Sequence, residues 1–265
     1  MRIVIRTSKL ASWSRRLGSI ALPIFVLSII MHRSQSITSE TFHLLISIAF
    51  IIAFFALITS LIALVQLWFS GDKGWARAFS GLALAIICLS PLAYASTQAQ
   101  KYPDVSDVST NPELNLTLIQ NTSNKQKAKT TLDQRELLTY FPNIVARNYQ
   151  ISGEELYNLA LEQISQSKWQ IINSQTLSDN NETAQINAID TTLFGWRDEI
   201  AILIIENEFG SSIAMRSASK LAKNDLGKNG KRIETFLVNL DAAVIKYSSS
   251  ILGSESPPTP LEPKN

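Results

Sequence analysis

Three long apolar runs dominate the first hundred residues: Leu17–Met31, Leu44–Phe69 and Trp75–Ala95. At a helical rise of ~1.5 Å per residue they reach about 22, 39 and 31 Å, against a hydrocarbon core about 30 Å thick. The second and third are long enough to span. The first needs Trp13–Arg16 at one end, where two arginines reach back to headgroups. The pattern predicts membrane helices over about 13–31, 44–69 and 75–95, within a transmembrane region 1–95.

From Ser96 the periodicity disappears. Tyr102-Pro103-Asp104, Asn111-Pro112 and the Asn/Thr/Ser/Lys-rich stretch Asn121–Thr131 predict a polar tether over 96–139 ending in a flexible loop. Order is expected again over 140–250. Ser152-Gly153-Glu154-Glu155 reads as a capping box, and Leu156, Leu159, Ala160 and Ile164 continue at helical spacing to about Ser167. Four strand-like runs follow, Lys168–Leu177, Thr183–Asp190, Asp198–Glu206 and Ser211–Ser219, with turns at Asp179-Asn180-Asn181 and Asn207–Gly210. Ile200–Ile205 is apolar at every position, which predicts a central strand covered on both faces. A closing helix from Gly230 to about Ser249 repeats Ile233, Phe236, Leu237, Leu240, Ala243, Val244 and Tyr247 on one stripe. The expected fold is α+β: three transmembrane helices, then a two-layer α-β-β-β-β-α domain with a four-stranded antiparallel sheet. Residues 251–265, with four prolines, are expected to be a disordered tail.

Charge separates these parts. The first hundred residues hold eight Lys+Arg and two Asp+Glu, and the rest hold sixteen and twenty, so a chain of net +2 divides into +6 and −4. The basic balance therefore does not mark a nucleic-acid binder. The short loops also give an orientation. Arg2, Arg6, Lys9, Arg15 and Arg16 at the start, with Lys73 and Arg77 in the second loop, stand against Arg33 alone in the first. The side with seven basic residues is the cytoplasm, and three spans then place residues 96–265 in the periplasm of a bacterial inner membrane. Were the first segment not to span, the domain would face the cytoplasm. Ile29–Ser34 offers no signal-peptide cleavage site. Ala93-Tyr94-Ala95 fits the small-x-small pattern but reads more simply as a helix end. Asn115-Leu116-Thr117, Asn121-Thr122-Ser123 and Asn181-Glu182-Thr183 match the glycosylation triplet, with no other mark of a eukaryotic secretory chain.

Residue types exclude much chemistry. A lone Cys88 has no disulfide partner within the chain. His32 and His43 both lie in the expected first loop, where two exposed imidazoles eleven residues apart could bind a metal but read more simply as solvated, so the folded domain has neither His nor Cys. Ser-His-Asp and Cys-His catalysis and the usual zinc sites are closed to it, and no glycine-rich phosphate loop is present. No cofactor and no metal are expected. Ser217-Ala218-Ser219-Lys220 matches the Ser-x-x-Lys pattern of penicillin-binding proteins and β-lactamases. That chemistry needs Ser and Lys one helical turn apart, whereas here they end a strand, where i and i+3 face opposite sides.

Several segments resemble one family. Thr191-Thr192-Leu193-Phe194-Gly195-Trp196-Arg197-Asp198-Glu199, Met215-Arg216-Ser217-Ala218-Ser219-Lys220, and Asn224-Asp225-Leu226-Gly227-Lys228-Asn229-Gly230-Lys231-Arg232-Ile233 look like DUF1499, and Pro103–Pro112 looks like its opening sequence. The resemblance covers roughly 102–245. Two positions depart from it: Glu199 stands where the family often has Asp, and Ala214 where it often has an acidic residue. The family has no established activity, so the resemblance implies a domain and an envelope setting and no reaction.

The remaining candidate constellation is electrostatic. Lys228, Lys231 and Arg232 crowd the start of the last helix, with Lys220 and Lys223 upstream. A helix start adds about half a positive charge, worth ~0.3–1 kcal/mol against each nearby cation. The arrangement asks for an anion. An internal answer has Asp225 capping the turn while Asp190, Asp198 or Glu199 pair with Arg216 and Arg232. An external answer is a lipid phosphate or polymer carboxylate, held by Arg216, Ser217, Ser219, Lys220, Asp225, Asn229 and Arg232. Trp169, Phe194 and Trp196 are candidate pocket aromatics, although strand aromatics usually fill cores. The leading reading is a non-catalytic inner-membrane protein whose periplasmic domain binds or organises an envelope component, with a lipid headgroup, a glycan or another envelope protein as partner. The alternative is a periplasmic serine hydrolase using Ser217 or Ser219 with Lys220.

Overall fold

The structure, a computed structural model, describes residues 6–114, 116–119, 132–178, 182–220 and 224–254, of which 252–254 by backbone only. It divides into two compact units, residues 1–101 with 191–196, and residues 102–190 with 197–265.

The first unit contains α1 (Lys9–Arg33), α2 (Ser39–Ser70) and α3 (Trp75–Lys101). All three are long and apolar enough to cross a membrane. Their buried faces are rich in small side chains, with Phe25, Phe42, Ile46 and Leu67 as large exceptions, and many large side chains face outward. Ala49, Ala53, Ala56, Ser60 and Ala63 form the buried face of α2, and Ala78, Gly81, Ala85 and Cys88 that of α3. Ile51, Phe54, Phe55, Ile62 and Ile87 are exposed. A water-soluble bundle would do the reverse. Lipid is as apolar as Leu, so such helices associate through close backbone approach and interhelical hydrogen bonds. One such bond runs from Ser60 Oγ to the Ala78 carbonyl at 2.6 Å. Gly81 permits the approach, because a Cβ there would stand 2.6 Å from Ser14 Oγ.

The helices run past the expected ends, and this corrects the histidine assignment. The first turn spans only residues 34–38, so His32 closes α1 and His43 lies inside α2. His32 is buried rather than solvated, stacked on Phe42 at 4.4 Å with Nε2 3.2 Å from Ser39 Oγ. His43 is exposed.

The second unit is an antiparallel sheet with helices. Its elements are β1 (Asp107–Ser109), α4 (Gln134–Tyr140), β2 (Arg147–Tyr149), α5 (Gly153–Gln166), β3 (Gln170–Gln175), β4 (Thr183–Thr191), β5 (Arg197–Asn207), β6 (Gly210–Ser219) and α6 (Lys228–Ser254). The Ser152/Glu155 capping box is formed as expected. Neighbours run β3-β4-β5-β6, and the outer edge of β6 is shared by β1 and β2, making six strands rather than four. β1 covers one half of β6 (Val108 opposite Ser217) and β2 the other (Asn148 opposite Ser212). Three-residue strands carry too few positions for a readable period, yet they occupy a backbone edge that would otherwise be open.

The expected tether needs the same correction. α3 continues to Lys101, and the segment after it supplies β1 and the buried Val105, Val108, Leu116 and Leu118. Alternate residues of β5 explain why. Ile200, Ile202 and Ile204 face the helix layer, packed with Leu156, Ile164 and Phe236. Ala201 faces the other way with Ala214 and Ala218, and there Leu116 and Leu118 cover the sheet. Both faces of β5 are therefore buried, the second by chain that reads as polar because its apolar residues are few and unpatterned. Residues 121–131, the 179–181 turn, all or part of each glycosylation triplet, Lys223 and 255–265 lie outside the described residues.

Candidate functional site

The seven candidate residues fall on two faces of one sheet. Successive strand residues point to opposite sides, so Arg216 and Ser217 part company. Ser217 lies opposite Ile200 on the helix-facing side, and Arg216 opposite Ala201 on the other.

On the helix-facing side, the loop into α6 turns around Asp225. Its Oδ1 accepts from Gly227 N at 2.8 Å and its Oδ2 from Asn229 N at 2.7 Å. An internal carboxylate thus takes the amides that an external anion at this helix start would use. Burial pushes the Asp225 carboxyl above the ordinary Asp value, with the two amide bonds opposing the shift. Asn229, fully buried, ties the helix to the sheet: Nδ2 donates to the Ser106 carbonyl at 2.9 Å and to Ser219 Oγ at 3.0 Å. Its Oδ1 accepts from Ser217 Oγ at 2.8 Å. One turn on, Arg232 reaches the same centre. Nη2 lies 2.8 Å from Asp190 Oδ2 and 2.7 Å from Asp198 Oδ2, and Nη1 donates to Ser217 Oγ at 2.8 Å and Asn229 Oδ1 at 2.5 Å. Every partner contributes to closing the end of the core.

On the opposite face Arg216 makes a two-pronged pair with Asp107, at 2.9 and 2.5 Å, and donates to the Leu116 carbonyl at 2.9 Å. The Asp107 hydrogen bonds raise the Arg216 pKa against the effect of its burial. Glu199, on this face too, accepts from the Ile119 amide. These bonds pin the covering segment to the sheet. Asp107 as partner of Arg216 was missed from the charge pattern. The available signal was its place in the Pro103–Pro112 stretch that resembles the family.

Among the described residues no buried side-chain nitrogen or oxygen lacks a hydrogen-bond partner, and no three His, Cys, Asp or Glu side chains converge as metal ligands. Ser217 is wholly buried with its hydroxyl already bonded to Asn229 and Arg232, while Lys220 is exposed. The strand therefore does not bring Ser217 and Lys220 together as Ser-x-x-Lys chemistry requires. Lys228 is also exposed, and Lys231 Nζ sits 4.3 Å above the Tyr102 ring. The three aromatics do not line one pocket. Trp169, partly buried, stacks on Phe236 at 5.4 Å at the edge of the core, whereas Phe194 and Trp196 pack with the helices of the first unit. Two open grooves mark the second unit. One of about 840 Å³ is lined by Asp107, Thr110, Glu113, Asp133 and Arg216, and one of about 560 Å³ runs between α5 and α6 past Glu162, Asn239 and Lys246.

No curated protein and no solved structure matches the chain. The family described as a protein of unknown function, DUF1499, matches residues 90–240, which contain β1, the Asp225 turn and every member of the Arg232 cluster. With more than half of its length matched, the chain belongs to the DUF1499 family.

Proposed function

We propose that this is a non-catalytic inner-membrane protein of a bacterial envelope, with its N-terminus in the cytoplasm and its α+β domain in the periplasm. There the domain binds or organises an envelope component. Seven basic residues flanking one side of three membrane-capable helices, against one on the other, support the orientation. The observation that carries the non-catalytic reading is the saturated centre around Arg232. Its buried serine and asparagine, the buried Asp198 and the part-exposed Asp190 are bonded to Arg232 and to one another, which supports a role in holding the fold rather than in chemistry. Among the described residues around this centre, Lys220 and Lys228 are exposed cations, each one residue from the bonded pair Ser219 and Asn229. They are the natural contact for an anionic partner, either a lipid headgroup or an acidic glycan.

Two measurements test this. A reporter active only in the periplasm, fused after Ser249, is expected to be on, and a silent fusion reverses the orientation. Full-length protein in neutral-lipid nanodiscs is expected to bind a water-soluble short-chain phosphatidylglycerol or an acidic glycan oligomer. The Lys220→Gln/Lys228→Gln double variant should lose at least about tenfold in affinity, or ~1.4 kcal/mol. Equal binding by both proteins, or none by either, rejects the anionic partner at this site.

A further inference from the structure

We infer that the tip of the β4–β5 hairpin, Thr191–Trp196, is a membrane-interface contact in which Leu193 enters the boundary between lipid headgroups and acyl chains. The tip belongs to the same compact unit as the three helices, and it is fastened to the end of α1 at three points. His32 Nδ1 lies 2.5 Å from the Phe194 carbonyl, Arg33 Nη1 donates to the Thr192 carbonyl at 2.7 Å, and Gln35 Nε2 donates to that of Gly195 at 3.3 Å. Gly195 makes this approach possible. Its φ is +86°, and a Cβ there would stand 2.7 Å from the Arg33 backbone.

The side chains show what the tip is for. Phe194 and Trp196 pack on the helix cluster that includes Phe25, Phe42 and Ile46, with the Trp196 ring edge-on to Phe42 at 5.7 Å. Leu193 stays outside this cluster, 73% exposed. A tip that met only water would have no use for Leu-Phe-x-Trp, since turn chemistry favours Gly, Asn, Asp and Ser. The lipid-facing surface explains it. The exposed apolar belt begins at Met31 on α1 and Leu44 on α2, each one residue from a histidine that touches the tip. One helical turn is ~5.4 Å, so the tip stands within about that distance of the depth where hydrocarbon begins. Trp and Tyr concentrate at this depth because an amphipathic ring suits both sides of the boundary. Arg33 beside the tip suits phosphate headgroups. The patch is continuous with the helices' own lipid surface, and this identifies the occupant as the surrounding bilayer.

The test uses the full chain in nanodiscs containing lipids with a nitroxide quencher at a shallow or a deep acyl position. Cys88 is replaced by Ala, and one new cysteine at a time carries an environment-sensitive fluorophore. At Leu193→Cys the shallow quencher is expected to act several-fold more strongly than the deep one. The same label in nanodiscs without quencher lipid sets the unquenched baseline. Phe55→Cys on the outer surface of α2 should respond best to the deep quencher. A Leu193 label that stays at the unquenched baseline overturns the inference, and so does equal quenching by the shallow and the deep probe. No quenching at Phe55 removes the spanning reading itself, a separate and distinguishable failure.

Discussion

Arg232 and Asp198 meet at 2.7 Å with side chains only 7% and 4% exposed, joining the N-terminal part of α6 to the start of the central strand. Neither charge has bulk water to fall back on. Breaking a buried pair by removing one partner strands the other, at about 3–5 kcal/mol. Arg232→Ala is therefore expected to lower unfolding free energy by about that amount, read from far-UV circular dichroism during denaturation. Arg232→Lys keeps the charge but cannot span Asp190, Asp198, Ser217 and Asn229 at once, and should fall between the two. An Arg232→Ala protein as stable as the parent, but weakened in ligand binding, would move this residue from scaffold to site.

Asp225 predicts a pH dependence of definite sign. Its folded-state pKa is raised by burial, so between the ordinary Asp value and the raised one the folded state holds more proton than the unfolded state. Stability then falls as pH climbs through that window and levels off above it. Asp225→Asn should abolish this component, so the parent-minus-variant difference in Tm should decline with rising pH and then flatten. A difference that grows with pH would show a carboxylate stabilised by the turn. Glu155 contributes with the opposite sign, since the Tyr247 hydroxyl lowers its pKa, but that slope is common to both proteins and cancels.

In the helical unit the sensitive positions are the small ones. Gly81→Leu drives a branched side chain into the Ser14 backbone, 2.7 Å from where its Cβ would stand, and should destabilise the bundle by about 1–3 kcal/mol or more. Ile87→Ala, on the exposed surface of α3, should change little. Resistance to unfolding in mixed detergent ranks the two, and a larger effect for Ile87 would mean that the outward face is a protein interface.

A serine-directed fluorophosphonate should leave the protein unlabelled, because the Ser217 hydroxyl is buried and doubly bonded. Labelling that disappears with Ser217→Ala or Ser219→Ala would establish the hydrolase instead. Ser217→Ala should in any case cost about 1–3 kcal/mol, from the partners it leaves unsatisfied.

Much of this protein was readable one residue after another. Long uninterrupted apolar runs, a capping box at Ser152 and Glu155, and the unbroken apolar stretch Ile200–Ile205 of β5 are local signals that a linear reading can use. The pairing of Arg232 with Asp190 and Asp198 was also foreseeable as one of two answers, because a crowd of cations at a helix start asks for an anion. What the chain order hid was everything that depends on a partner far away in sequence. β1 and β2 are three residues each and exist only because β6 offers an edge. Leu116 and Leu118 are buried only because Ala201, Ala214 and Ala218 leave a shallow surface for them. His32 is a core residue only because a hairpin tip 162 positions away sets the Phe194 carbonyl against its ring. Burial and hydrogen bonding are properties of neighbours in space. A periodic segment carries its own account of which side faces inward, while an aperiodic one acquires that side only when the rest of the fold supplies the surface.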